Sequence, residues 1–212
     1  ALRALALASW VQSGRLDVYK QYAEQLVKMG FAREEKTDKG TAILFHCPFG
    51  VYSYEDLVLG RIDKEGYNFI MLKSDGFPTY NFACVVDDHL MNITHVIRGM
   101  DHVSNTAVQL ALYKCFDWTP PHYAHIPMIL GEDGEKLSKR HGAVSVTEYR
   151  ENGFLPDALV NFLTLIGWSP GHDQEIISLQ ETIDKFDLDR VKKAAAQFGM
   201  AKLRWMNGEY IK

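Results

Sequence analysis

Leu16, Tyr19, Ala23, Leu26 and Val27 recur at helical spacing, which predicts an amphipathic helix over 16–29 closed by Gly30. Residues 31–68 break that period. Mixed charges alternate there with Gly40, Pro48, Gly50, Gly60 and Gly66, and the short runs AILFHC and GVYSY predict an antiparallel, strand-rich insert. Three apolar, β-prone segments follow: FIMLKSD (69–75), ITHVIRG (93–99) and AHIPMIL (124–130). Between the last two, 104–116 reads as a helix with Ser104 as its N-cap, so strand, helix and strand form a parallel βαβ pattern. Ligands of such sheets bind at the carboxyl ends of the strands, where Gly99-Met100-Asp101-His102 would lie. From residue 145 the pattern is helical. Ser145–Glu148 and Ser178–Glu181 fit capping boxes, and Pro156 suits the first turn of a helix running to Ile166, with Gly167 as its stop. The expected class is α/β: half of an open sheet, interrupted by a β-rich insert and followed by a helical domain. No internal repeat or low-complexity tract is present.

Composition narrows the picture. The 212 residues are 47% hydrophobic and 24% charged, a globular composition that excludes a disordered tail. No apolar run approaches the ~20 residues of a membrane helix, so no membrane partner is expected. ALRALALASW lacks the charged start and cleavage site of a secretory signal. Cys47, Cys84 and Cys115 are odd in number and widely spaced, which points to a reducing cytosol or organelle matrix. A net charge of −4 argues against wholesale nucleic-acid coating. A local basic face remains: Arg190, Lys192, Lys193, Lys202 and Arg204 fall in a stretch without an acid. On charge alone, a solvated helix face is favoured over a phosphate-backbone contact.

The strongest chemical signal is the loop Gly131-Glu-Asp-Gly-Glu-Lys136-Leu-Ser-Lys139-Arg140-His-Gly142. Glycines bracket three cations and a serine just after a predicted strand, and such a loop can close over a polyanion with its lysines as point charges. An exposed turn with solubilising charge is the competing reading, and the three acids in the loop favour it. As a word, however, KLSKR resembles the KMSKS loop of the class I aminoacyl-tRNA synthetases. The text around it resembles the bacterial-type glutamyl-tRNA synthetases in residues 12–26 (QSGRLDVYKQYAEQL), 74–106 (SDGFPTYNFACVVDDHLMNITHVIRGMDHVSNT), 125–146 (HIPMILGEDGEKLSKRHGAVSV), 153–170 (GFLPDALVNFLTLIGWSP) and 202–211 (KLRWMNGEYI).

The resemblance implies a partial Rossmann-type nucleotide-binding fold and a glutamate–tRNA ligase: ATP, with Mg2+, activates L-glutamate, and the product is transferred to the 3′ end of tRNA(Glu). It implies Lys136 and Lys139 as catalytic cations on the triphosphate. Leu137, Ser138 and Arg140 belong to the same loop, Met128 and Ile129 supply backbone to adenine, and Asp101 contacts ATP where a longer glutamate is expected. Tyr80 and Arg98 match glutamate-binding positions. Cys84 replaces an asparagine that touches the substrate, and a thiol gives no strong hydrogen bond; His102 replaces a frequent tryptophan. A planar, permanently charged guanidinium is the partner a carboxylate substrate needs in a partly dry cleft. Without the family context, Arg98 also reads as a strand-end residue paired to Asp87, Asp88 or Asp101, and Tyr80 as core. His125 and His141 flank the loop, either against phosphate or in surface or packing duty. Arg190, Lys192 and Lys193 become a tRNA-backbone face.

The resemblance further implies a monomer in the cytoplasm, or in an organellar matrix. It divides the chain into the end of a first half with a partial acceptor-binding insert (1–70), a second Rossmann half with the KLSKR loop (71–145) and a helical stem-contact domain (146–212). No HIGH tetrapeptide occurs among the 212 residues, and the insert between 30 and 41 is shorter than in relatives, so the expected reading is a portion of a longer enzyme that is inactive alone. Rival readings are a metal-dependent phosphohydrolase built on Asp87, Asp88 and His89, the paralogue that loads glutamate onto queuosine in tRNA, and a non-catalytic tRNA-binding module.

Overall fold

A computed structural model describes residues 11–48, 50–137, 145–171 and 173–212. Seven α-helices and nine strands are found among them. The first helix, α1 (Leu16–Lys28), buries Tyr19, Ala23 and Leu26 on one face, the stripe its period predicts, and the chain leaves it at Gly30 with φ +81°. Strands β1 (Ala32–Thr37) and β2 (Gly40–Phe45) form an antiparallel hairpin in register from Ala32↔Phe45 to Thr37↔Gly40. β3 (Val51–Asp56) and β4 (Gly60–Glu65) follow.

Here the structure departs from the periodic reading. β5 (Phe69–Leu72) adds to the hairpin, pairing antiparallel with β2, so the first sheet runs β1-β2-β5. The second sheet has the order β4-β3-β7-β6, with β6 at His95–Gly99 and β7 at His122–Ile126. β3 runs parallel to β7, with Asp56 opposite Tyr123. Strand partners are long-range choices that alternation within one strand does not encode. Between β5 and β6 lies α2 (Tyr80–Leu90), and between β6 and β7 lies α3 (Val103–Cys115). Ser104 is therefore inside α3 and not its N-cap, because a 3-10 turn over Met100–His102 leads directly into the helix. A two-stranded parallel sheet pairs β8 (Ile129–Leu130) with β9 (Ala196–Gln197).

The later helices are α4 (Val146–Glu151), α5 (Pro156–Gly167), α6 (Leu179–Lys185) and α7 (Met200–Ile211). Both expected serine caps form: Ser145 Oγ accepts from Glu148 N–H, and Ser178 Oγ from Glu181 N–H. Pro156 occupies the first turn of α5 and Gly167 is its last residue.

Two compact units emerge. One comprises residues 1–55, 61–96 and 103–122, of which the described part has a core that includes Tyr19, Leu26, Phe45, Met71, Phe82 and Leu112. The other comprises 56–60, 97–102 and 123–212; its described residues include a cluster around Phe162, Phe198, Leu203 and Met206, and a second around Val58, Ala124, Trp168 and Ile177.

Candidate active site

In the second unit, β3 ends at Asp56, β6 carries Arg98, and β7 carries Tyr123 and His125. The Asp56 and His125 side chains are fully buried. A buried carboxylate is costly unless donors surround it. Asp56 Oδ1 accepts N–H bonds from Val58 (3.0 Å), Leu59 (2.9 Å) and His125 (3.1 Å), and its Oδ2 meets His125 Nδ1 at 2.5 Å. Burial pushes the Asp56 carboxyl up, but the Leu59 N–H, the His125 ring and the further N–H bonds outweigh it and hold the group below the usual carboxylate range. Burial pushes His125 down; the Asp56 bond raises it, and the nearby Arg98 and His102 charges lower it, leaving a net downward shift.

Arg98 Nε donates to His125 Nε2 at 3.1 Å, and Nη2 donates to the His102 carbonyl at 3.3 Å. Its guanidinium carbon lies 5.3 Å from the centroid of the Tyr123 ring, at cation–π range. A guanidinium can only donate, so His125 Nε2 must accept and the ring proton sits on Nδ1, facing Asp56. Packing duty in a buried polar chain is thus where His125 sits; it is not at the surface.

The second group is a tight hairpin. Leu137 N–H donates to Ile129 O (2.9 Å), Gly131 N–H to Glu135 O (2.8 Å), and Leu130 bridges Lys136. This turn brings Lys136 Nζ to 2.7 Å from Asp101 Oδ2, on the 3-10 turn after β6. Both side chains face solvent, at 60% and 40% exposure, and the Lys136 bond holds Asp101 below the usual carboxylate range. Two residues that sequence reasoning assigned to ATP are thereby brought together. Met128 and Ile129 line an apolar cavity of about 420 Å³ with Ile97, Trp168, Phe186 and Val191. Ser138, Lys139, Arg140 and His141 lie outside the described residues.

Tyr80 opens α2 at 48% exposure, so it is not core, and Cys84 follows one turn later on the same helical face, half-buried. Asp87 turns to the core of the first unit. Its carboxylate accepts from Tyr19 Oη (2.8 and 2.9 Å), Gln12 Nε2 (2.9 Å) and Arg15 Nε (3.3 Å). His89 stacks on Trp118 with ring centroids 3.6 Å apart. Among the described residues, no group of three or more His, Cys, Asp or Glu side chains is placed to hold a metal ion. In the basic stretch, Arg190 donates to Pro170 O (3.1 Å), Lys192 to Leu165 O (2.5 Å) and Lys202 pairs with Glu175 (2.6 Å); Lys193 and Arg204 are exposed.

Asp56 and Tyr123 are the site residues that sequence reasoning missed. Asp56 is 69 positions from His125 and sits in an ordinary turn-bounded strand, so no local signal marks it.

Residues 33–205 match the model of the tRNA synthetases class I (E and Q), catalytic domain. Glutamate--tRNA ligase 1 of Pseudothermotoga lettingae is 44% identical over 95% of this chain and 52% of its own length. Glutamate--tRNA ligase of Elusimicrobium minutum is 48% identical over 92% of this chain and 41% of its own. The crystal structure of a glutamate tRNA ligase from Elizabethkingia meningosepticum, in complex with its amino acid, superposes with a TM-score of 0.88 at 30% identity, over 99% of this chain and 55% of that one. The chain spans about half the length of the curated relatives it matches. No helix among the described residues is long and apolar enough to cross a membrane.

Proposed function

The chain belongs to the class I tRNA synthetases of the glutamate and glutamine type, with their Rossmann-like catalytic fold, and from this we propose that it carries active-site elements of a glutamate–tRNA ligase. The observation that carries the reading is Arg98, a guanidinium fixed by a buried histidine and a backbone carbonyl at the end of a sheet strand. Charge-assisted bonds from such a group to a carboxylate are worth about 1.5–3 kcal/mol each. The glutamate carboxylate attacks the α-phosphorus of ATP, pyrophosphate leaves, and a hydroxyl at the tRNA 3′ end then displaces AMP from the adenylate.

In this scheme Tyr80, Cys84 and Arg98 are the glutamate-binding residues. Met128 and Ile129 seat adenine beside the apolar cavity they line. Lys136 exchanges Asp101 for the triphosphate, joined by Lys139 and supported by Leu137, Ser138 and Arg140 of the same loop. Mg2+ would enter with the nucleotide, and the chemistry it would supply is neutralisation of phosphate charge. Residues 1–70, 71–145 and 146–212 serve as partial acceptor-binding insert, second Rossmann half and stem-contact domain. Arg190, Lys192 and Lys193 meet the tRNA backbone, and the enzyme works as a monomer in the cytoplasm or an organellar matrix. The phosphohydrolase reading finds no support, because Asp87 is committed to Tyr19, Gln12 and Arg15.

The test is glutamate-dependent exchange of pyrophosphate into ATP by the full-length gene product. Lys139→Ala should lower the exchange rate about 100–1,000-fold, as the loss of one preorganised charge contact does, while glutamate binding weakens far less. An unchanged rate sinks the role of the loop.

A further inference from the structure

We propose that Asp56 and His125 form a buried relay that sets the orientation of Arg98 for the carboxylate of its amino-acid substrate, making His125 a positioning residue for glutamate selection. The proposal rests on the reading of Arg98 as the glutamate ligand. Three features of the geometry carry it. First, the chain of donors has one direction: backbone N–H groups and the His125 ring donate into Asp56, and Arg98 donates into the other ring nitrogen. Asp56 thereby dictates the tautomer, and the tautomer dictates that Nε2 accepts.

Second, Arg98 is gripped at two different nitrogens, Nε by His125 and Nη2 by the His102 carbonyl, with the Tyr123 ring beneath the plane. Two bonds and a face contact fix rotation and tilt of a planar group whose long stem otherwise keeps many rotamers. The ordering cost is then met in the protein before substrate arrives, which sharpens recognition of a carboxylate.

Third, the Asp56–His125 pair is wholly out of solvent. Simple packing does not need it: two buried polar groups are a liability unless every bond is made. Burial and the neighbouring Arg98 charge keep the ring neutral, so the acceptor persists.

The experiment compares two truncations of the relay in the full-length gene product. His125→Asn keeps a donor for Asp56 and removes the acceptor at Arg98. His125→Gln keeps an acceptor at the Nε2 position. In glutamate-dependent pyrophosphate exchange, His125→Asn should raise the KM for glutamate about tenfold or more with the KM for ATP changed by less than about twofold, and His125→Gln should recover most of the loss. Equal rises for both substrates, or no difference between the two variants, overturn the proposal. A second measurement needs no variant: ring 15N NMR of the unaltered protein at about pH 7.5 should find the His125 proton on Nδ1 and a bare Nε2. A proton on Nε2 overturns the relay whatever the kinetics show. Absence of glutamate-dependent exchange in the unaltered protein instead removes the reading of Arg98, and the NMR result still judges the relay alone.

Discussion

A Cβ on Gly99 would stand 2.6 Å from Asp101 Oδ1, so alanine at 99 must turn that carboxylate aside. Asp101 is short and its pair with Lys136 is exposed, which makes the displacement cheap in stability, within about 1 kcal/mol. Gly99→Ala should therefore release Asp101 from Lys136, and a 13C titration of its carboxyl should rise towards the ordinary range; an unmoved titration means the pair survives. The cysteines give a second expectation. Burial pushes the Cys115 thiol up to about 11 and raises Cys47 as well. Thiolate is the reactive form, so iodoacetamide near neutral pH should label the half-buried Cys84 first, as peptide mass mapping would detect; earlier labelling of Cys115 contradicts the packing. Arg98 and Lys136 were legible in the sequence because each sits in a long ordered motif. Asp56 was not, because its meaning comes entirely from a strand that pairs with it 67 residues later, at Tyr123.

Helix ends were legible because a cap is a local bargain: Ser145 and Ser178 each satisfy an N–H three residues on. Ser178→Ala should cost about 0.5–2 kcal/mol in chemical denaturation, and no change would mean that α6 does not fold with the rest. Between elements, Asn161 on α5 is 2% exposed and accepts from both Ile177 N–H (3.0 Å) and Tyr210 Oη (2.8 Å) of α7. Asn161→Ala leaves the Ile177 amide buried without its acceptor, which should destabilise by about 1–3 kcal/mol; a neutral result in denaturant unfolding refutes the tie. Such a bond has no signature in sequence: an asparagine inside a helical stripe reads as a polar interruption. Strand pairing was equally hidden. β5 joined the antiparallel hairpin and β3 entered the sheet of β7, choices made by surfaces far apart along the chain.

For the molecule as a whole, the buried His125 and the half-buried His89 predict an acid-sensitive stability. Burial lowers both His89 and His125 from an ordinary 6.5. As pH falls through 6.5 the unfolded chain takes up protons that the folded one still refuses, so the unfolded state binds more and stability declines towards the folded values. Asp56, held below 3.8, adds a contribution present above that value and lost only as pH drops through its folded one. The denaturant midpoint should be lower near pH 5.5 than near pH 7.5, and His125→Gln should shrink that difference, since the titrating ring is gone. An undiminished difference in the variant assigns the effect elsewhere.

The amino-acid order alone determined the α/β class, the amphipathic α1, the serine caps, the position of α5 and the kinship carried by the KLSKR loop and its flanking blocks. All of these depend on neighbours within a few turns or on words read in sequence. Only the tertiary structure decided that Asp56, His125 and Arg98 form one chain of bonds, that Lys136 rests on Asp101, and that Asp87 serves the core. Those outcomes arise from burial, which makes each polar group find a partner wherever folding brings one, without regard to distance along the chain.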